Sequence, residues 1–128
     1  MAVRIHSGPI HHGLIVLDVP SSTATHEGWD PNAGPVHTAP GSVYVLMIPS
    51  VDGPITVSVL SQESVDESRS DLVPVFDGDI GSPDEDLRLI DPNEVVHMIV
   101  PAAERESSRI RLSVDDVVHP SVLEVIVG

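Results

Sequence analysis

Prolines set the strongest limit on the fold of this chain, because 12 of them are scattered through 128 residues. A proline removes a backbone donor and disrupts a helix interior, so no long helix fits between them. Valine (21), isoleucine (10) and leucine (9) supply most of the apolar residues, and β-branched side chains favour strands. The sequence therefore predicts an all-β protein, and its length fits a single domain over residues 1–128.

Nine segments have the composition of strands, with borders rich in proline, glycine, serine and aspartate. We expect them to form an antiparallel β-sandwich of about eight or nine strands. The connection 20–41 and the segment 61–70, a weak helix candidate, are expected to be loops. The nine segments are residues 3–6, 13–19, 42–49, 54–61, 71–76, 86–90, 94–100, 108–114 and 121–127.

Local patterns predict how individual strands are placed. The run 43–48 is continuously apolar, which is typical of a strand buried on both faces. Residues 55–59 alternate between apolar and polar, so that strand should have one wet face. Between these two strands lies Asp52-Gly53, a strong hairpin signal. The sequence therefore predicts that the two strands pair directly.

Alternation also selects the residues that we expect in the core. In the segment 108–114 it directs Arg109 and Arg111 toward solvent and the apolar residues between them inward. The expected core comprises Leu14, Val16, Val43, Val45, Met47, Val57, Val73, Ile99, Ile110, Leu112 and Val125.

The charge of the chain limits its partners. It contains no lysine, and 20 aspartates and glutamates face six arginines, for a formal charge of −14. Such a field repels nucleic acid and anionic membranes and attracts basic proteins or cations. A GC-rich genome or a high-salt cytoplasm would favour the same composition. No stretch approaches the roughly 20 apolar residues of a membrane span, and residues 1–10 lack a secretory pattern, so we expect a cytoplasmic protein.

Histidines are the first candidates for metal chemistry, because the chain has no cysteine. Five of the seven histidines lie within the first 37 residues, and Glu27 or Asp30 could complete a zinc site with them. Their spacing matches no zinc signature, so we interpret them as scattered loop residues and expect no metal. These histidines are His6, His11, His12, His26 and His37.

Five carboxylates lie within ten residues of the segment 77–86. Oxygen ligands at this density suit Ca²⁺, but the EF-hand register fails. Ser82 occupies the position of the invariant glycine, and Arg88 occupies that of the bidentate glutamate. We therefore interpret the segment as a solvated acidic turn. The five residues are Asp77, Asp79, Asp84, Glu85 and Asp86.

No pattern in the chain indicates catalysis. There is no Gly-x-Ser-x-Gly elbow, no phosphate-binding loop and no His-Glu-x-x-His helix. We expect a protein that is not an enzyme, with no catalytic residues and no cofactor.

The acidic middle of the chain offers a binding role instead. Residues 63–94 contain 11 aspartates and glutamates but only two arginines. Gathered on one flank, these carboxylates could imitate a phosphate backbone and occupy the cationic site of a nuclease. The same charges also serve solubility and keep edge strands apart. The candidate contacts are the five carboxylates of segment 77–86, with Trp29 either as a buried anchor or as part of the core.

The order of several short stretches resembles a known family. An apolar strand ends at Asp18, and another ends at Pro101. Between them lie Gly28-Trp29-Asp30, Pro40-Gly41-Ser42-Val43 and Leu72-Val73-Pro74-Val75-Phe76, and the alternating residues 110–114 follow. This layout resembles the small acidic β-sandwich inhibitors of the bacterial competence system, which hold a DNA-entry nuclease in check. The resemblance implies a sandwich fold that acts by blocking a basic partner. Those inhibitors carry lysines on the surface and aromatic residues on several strands, whereas this chain has no lysine and only three aromatic residues.

The leading hypothesis is thus a non-enzymatic inhibitor or immunity-type protein that binds a basic partner such as a nuclease or toxin. The alternative is an assembly module, such as a phage capsid or tail decoration protein or a complex subunit, that pairs through edge strands and forms homo-oligomers. A third interpretation is a carbohydrate- or cation-binding sandwich. An inhibitor should bind in a salt-sensitive way through acids on one face, whereas an assembly subunit should present a large apolar patch.

Overall fold

A computed structural model of the chain describes residues 3–8, 13–23, 34–48, 52–61, 71–82, 84–91, 96–105 and 107–128. These residues contain ten strands and one short 3-10 helix, Ala102–Glu104. In the described ranges, no helix is long and apolar enough to cross a membrane. The strands are β1 (Val3–Gly8), β2 (Leu14–Asp18), β3 (Val36–Ala39), β4 (Ser42–Leu46), β5 (Ile55–Ser61), β6 (Val73–Asp79), β7 (Leu87–Ile90), β8 (His97–Val100), β9 (Arg109–Val114) and β10 (Val122–Val127).

The strands form two five-stranded sheets that enclose one apolar core. The first sheet has the order β1-β5-β10-β9-β6, and the second has the order β3-β4-β2-β7-β8. All described neighbours pair antiparallel except β5 and β10, which run parallel. The predicted β-sandwich is confirmed, with ten strands in the described chain where eight or nine were expected.

The additional strand is β3, which lies inside the expected loop 20–41. It is only four residues long and sits between Pro35 and Pro40, with Val36 as its one strongly apolar residue. Such a segment lacks the alternation that marks a half-buried strand, and pairing with β4 supplies what the sequence signal does not.

The predicted hairpin at Asp52-Gly53 is wrong. Strand β4 pairs with β2 and β3, whereas β5 pairs with β1 and β10, so the chain crosses from one sheet to the other between them. A turn signal indicates that the chain reverses direction but does not specify whether the next strand pairs alongside or packs across the core. Here the apolar faces of β4 and β5 meet across the sandwich.

The core confirms seven of the expected residues and corrects four. Leu14 and Val16 are half-buried, because the alternate residues Ile15 and Leu17 face inward. Strand β2 is apolar on both faces, so its sequence could not indicate which face is inside. Val73 and Ile99 lie on edge strands and are 43% and 46% exposed. The confirmed residues are Val43, Val45, Met47, Val57, Ile110, Leu112 and Val125.

Burial within the strands follows the expected alternation in two cases and departs from it in one. Strand β5 is buried at Ile55, Val57 and Val59 and half-buried at the residues between them. In β9 both arginines face outward, as expected. Strand β4 was expected to be buried on both faces, but one of its faces, with Tyr44 and Leu46, is only half-buried.

Hydrogen bonds between loops define the two ends of the sandwich. At one end, which we call the acidic end, the chain passes from β6 to β7 through residues 80–86. The amide of Ile80 donates to the Ser108 carbonyl there, and the amide of Gly128 donates to the Arg109 carbonyl. At the opposite end, the amide of Ile48 donates to the Pro120 carbonyl and so joins the two sheets.

Candidate partner-binding site

The five candidate carboxylates follow the edge of the first sheet and continue over the acidic end. Asp77 and Asp79 lie on β6, the edge strand, two residues apart and therefore on the same face. Asp84, Glu85 and Asp86 lie in the turn that leads into β7 of the second sheet. All five therefore lie at the end of β6 or in the connection from β6 to β7, and each has a different local environment.

Asp77 is neutralised locally by an arginine of the neighbouring strand. Arg109 Nε and Nη2 donate to the two carboxylate oxygens of Asp77 at 2.8 and 2.7 Å. These hydrogen bonds, together with the charge of nearby Arg111, lower the pKa of Asp77 below its ordinary value. The pair stays exposed, so Asp77 remains reachable but presents no unbalanced charge.

Asp79, unlike Asp77, accepts no hydrogen bond from a described arginine. It lies directly opposite Arg109 in the β6–β9 register, but that guanidinium is directed to Asp77 instead. One carboxylate oxygen of Asp79 accepts a hydrogen bond from the Ser108 hydroxyl at 2.9 Å. The side chain is exposed, and its orientation is set by one neutral donor.

Glu85 holds the turn against the loop that follows β2. Its two carboxylate oxygens accept hydrogen bonds from the amides of Ser21 and Ser82 at 3.0 and 3.2 Å. Hydrogen bonds from Ser21 and Ser82, with the charge of Arg105, lower the pKa of Glu85 despite some desolvation. This carboxylate therefore acts as a structural tie between two loops, and little of it is left for a partner.

Gly81 allows this close approach. Its φ of +62° falls in the left-handed region, which glycine adopts without strain. A Cβ added there would lie 2.6 Å from Val19 Cγ2 and 2.9 Å from Glu85 Oε2. Any larger residue would push the acidic turn away from the loop after β2.

Arg105 binds the acidic turn from beneath. It is 5% exposed, and its guanidinium nitrogens donate to three carbonyl oxygens of the turn. The acceptors are Glu85 at 2.8 Å, Ile80 at 3.1 Å and Ser82 at 3.3 Å. Burial lowers the pKa of Arg105, against the opposing effect of the Glu85 charge. A buried guanidinium that binds three carbonyls holds residues 80, 82 and 85 in place relative to one another.

Asp86 and Asp84 complete the turn. One oxygen of the exposed Asp86 carboxylate accepts the amide of Ala102, the first residue of the short 3-10 helix, at 2.8 Å. Asp84 is exposed, and within the described residues its carboxylate accepts no hydrogen bond. Of the five candidates, Asp79, Asp84 and Asp86 are therefore the exposed carboxylates that form no side-chain ion pair among the described residues.

Sequence reasoning missed the residues that hold the turn in place. Arg105, Ser21 and Ser108 lie in loops, far along the chain from most of the carboxylates they support. No signal in the sequence indicates these contacts, because most of them join residues that are distant along the chain.

The remaining sequence candidates divide between described and undescribed residues. Trp29 and the histidines His11, His12 and His26 lie outside the described residues, as do Glu27 and Asp30. His6 lies on β1 and His37 on β3, in different sheets. In the described parts of the chain, no group of three or more histidines, aspartates or glutamates is placed to hold a metal ion.

Carboxylates also occur at the opposite end of the sandwich. Asp115 accepts hydrogen bonds from the Ser121 hydroxyl and from the amides of Ser121 and Val122. Asp116 accepts from the amides of Val118 and His119 at 2.8 and 3.1 Å. The acidic charge of the described chain is therefore not confined to one end, although the acidic end has the densest cluster in sequence.

Comparison with known proteins supports the fold. No protein-family model matches the chain, and no curated protein matches it by sequence. Among solved structures, the chain is similar to ComJ from Bacillus subtilis, described as an inhibitor of the DNA-degrading activity of NucA. The similarity covers 99% of this chain and 98% of ComJ, with a TM-score of 0.51 and 12% sequence identity. The predicted resemblance to the competence-system inhibitors is thus confirmed as a shared fold.

Proposed function

We propose that this protein is a non-enzymatic inhibitor or immunity-type protein that binds a basic partner, such as a nuclease or toxin, in the cytoplasm. The observation that carries the proposal is the fold similarity to a nuclease inhibitor over nearly the whole of both chains. In this proposal the acidic end occupies a site that the partner uses for phosphates.

The arrangement of the acidic end supports this mode of binding. Asp84 and Asp86 present carboxylate oxygens from a turn to which Arg105 and Glu85 are hydrogen-bonded, and Asp79 presents its own from the end of β6. A surface that is ordered before binding loses less conformational entropy when the complex forms. Opposite charges across an interface also accelerate association, particularly at low salt. We therefore assign the direct contacts to these three aspartates.

The other proposed contact residues receive supporting roles. Asp77 binds Arg109, and Glu85 binds Ser21 and Ser82, so both maintain the surface from which the three aspartates project. Trp29, which lies outside the described residues, remains a proposed anchor.

A charge-removal experiment tests the proposal. The triple variant Asp79→Asn, Asp84→Asn, Asp86→Asn removes three charges but keeps an acceptor for the Ser108 and Ala102 hydrogen bonds. DNA degradation would be measured for NucA and for nuclease fractions that the immobilised protein captures from the source lysate at low salt. The wild type should inhibit one of these nucleases, and the triple variant should inhibit it at least about tenfold less well.

The matched control removes the same charge from the other end, as Asp52→Asn, Asp71→Asn, Asp116→Asn. This variant should inhibit as well as the wild type. Equal loss of inhibition by both triple variants would contradict the assigned contacts, since only total charge would then matter. If the wild type inhibits neither NucA nor any captured nuclease at low salt, the proposed function is wrong.

A further inference from the structure

The outer face of the second sheet carries mostly apolar side chains on its described strands, and its one carboxylate, that of Asp18, is paired with Arg88. Its outward positions on β2, β4, β7 and β8 include six large apolar residues, which are half-buried or, for Ile99, 46% exposed. We call this surface the neutral face. It comprises Leu14, Val16, Tyr44, Leu46, Ile90 and Ile99.

The strand register joins five of these residues into one patch, and Ile99 lies beside Arg88 in the neighbouring row. Tyr44 lies beside Val16, and Val16 lies beside Ile90. Leu14 pairs with Leu46 in the next row. With His37 and His97 at its two edges, the central row crosses all five strands of the sheet. The patch is therefore continuous across the sheet.

The sequence pattern of β2 and β4 indicates that this face is covered in the functional protein. Strands with one wet face alternate between apolar and polar residues, as β5 and β9 do. Leu14–Leu17 and Val43–Leu46 are instead apolar at every position. One face of each strand packs in the core, but none of the ten strands packs on the other.

The charge distribution selects the occupant. The five strands of this sheet contain a single acidic residue, Asp18, and its carboxylate is bound at 2.9 and 3.0 Å by the guanidinium of Arg88. A basic partner would find no uncompensated charge here. A second copy of this chain would offer an identical apolar face, and the strands of the two sheets would bring no unpaired carboxylate to the contact despite the net charge of −14.

We propose that the neutral face is a homodimer interface, in which two copies pack their second sheets face to face about a two-fold axis. Five strands about 4.8 Å apart and about five residues long span roughly 400 Å² on each copy. The two copies together bury about 800 Å², below the roughly 1,200 Å² of a stable complex. The dimer is therefore weak and depends on protein concentration. This proposal does not rest on the proposed inhibitor function.

Salt dependence distinguishes this interface from binding at the acidic end. Two copies that each carry −14 repel one another, and about 1 M salt shortens the screening length to about 3 Å. Dimerisation should therefore strengthen at high salt, whereas binding of a basic partner should weaken.

Sedimentation equilibrium of the full chain over about 10 μM to 1 mM tests the proposal. It is run at low salt, where the charges of two copies repel over a long range, and at about 1 M salt, where they are screened. The wild type should dimerise at the upper concentrations, and more tightly at high salt. Val16→Glu, at the centre of the neutral face, should weaken dimerisation at least about tenfold. Thr56→Glu adds the same charge to the outer face of the first sheet and should leave the strength of dimerisation unchanged.

Three results would overturn the proposal: a wild type that stays monomeric at high salt throughout this range, an equal effect of both variants, or association that salt weakens. The uncharged variant Val16→Thr keeps the test decisive if the glutamate variant fails to fold, since it should also weaken the dimer. The asparagine variant of Asp79, Asp84 and Asp86 should dimerise at least as well as the wild type, so failure here is separable from failure of the inhibitor function. Tyr44 is the one tyrosine of the chain, so fluorotyrosine labelling gives a single resonance that should shift with concentration.

Discussion

Arg109 binds Asp77 diagonally across the β6–β9 pair, although Asp79 is the residue directly opposite it in the register. Both nitrogens of this bidentate contact lie within 2.8 Å of a carboxylate oxygen. The choice of partner leaves Asp79, among the described residues, with the Ser108 hydroxyl as its hydrogen-bond donor, while the charge of Arg109 still acts on it from the opposite position of the register.

Removal of this ion pair should change how the folding stability of the protein depends on pH in the acidic range. The folded pKa of Asp77 is depressed, so its contribution to stability is present above the unfolded pKa and is lost as pH falls through the folded pKa. Arg109→Gln should raise the Asp77 pKa toward its ordinary value, as followed by carboxyl carbon NMR, and should make stability less dependent on pH in the acidic range. Asp84→Asn is the matched control and should leave the Asp77 titration in place. An unchanged Asp77 pKa in Arg109→Gln would contradict the assignment.

Arg105 should be the most sensitive position at the acidic end. Arg105→Met removes the guanidinium donor from the carbonyls of Ile80, Ser82 and Glu85, which should lower the free energy of unfolding by about 3 kcal/mol. The Ser82 carbonyl keeps the Glu85 amide as a donor, so the carbonyls of Ile80 and Glu85 carry most of the expected loss. Arg105→Lys keeps a donor but cannot reach all three acceptors, so its loss should be intermediate. Urea unfolding measures both, and equal stability of wild type and methionine variant would show that the guanidinium does not hold the turn.

Gly81 gives a test of the close approach between the acidic turn and the loop after β2. Gly81→Ala combines a left-handed φ with contacts below 3.0 Å to Val19 and Glu85, and should cost about 2 kcal/mol of folding stability. Gly34→Ala is the control, because Gly34 also has a positive φ but no atom within 4 Å of its added Cβ. The control should lose only the backbone part, about 1 kcal/mol. Thermal unfolding of the two variants should therefore rank Gly81→Ala as the less stable.

Asp115 should stabilise the β9–β10 connection in a pH-dependent way. Burial alone would raise its pKa, but hydrogen bonds from the Ser121 hydroxyl and from the amides of Val122 and Ser121 outweigh burial and lower it. This stabilisation is present above the unfolded pKa and is lost as pH falls through the folded pKa. Asp115→Ala should lower unfolding free energy by about 1–2 kcal/mol near neutral pH. The difference from wild type should shrink in acid; a difference that is constant with pH would argue against an ionised Asp115 as the acceptor.

Most of the fold could be predicted because its signals are local. Alternation located β5 and β9 and gave their inward faces, and the proline-bounded apolar runs located nine of the ten strands now described. The core face of β2 could not be predicted, since Leu14, Ile15, Val16 and Leu17 are all apolar and only the opposing sheet decides which pair is buried. Strand pairing was equally hidden, because β4 and β5 adjoin in sequence but belong to different sheets.

The candidate site could be predicted only in outline. The density of acids marked segment 77–86, yet the different environments of its members depend on residues distant in sequence. Arg109 compensates Asp77 from another strand, and Ser21 binds Glu85 from a loop 64 positions away. Sequence alone gives no indication of these contacts, which separate the carboxylates presented to a partner from those that maintain the turn.

The parallel pairing of β5 with β10 has a consequence for how this sandwich assembles. Strand β10 lies between β5 and β9. The β1–β5 pair and the β6–β9 pair are therefore connected within the sheet only through their hydrogen bonds to β10. The last strand in chain order is thus the central strand of the first sheet, and both halves of that sheet depend on it. Its loss would divide that sheet into two separate ribbons, whereas loss of β1 or β6 would only narrow it.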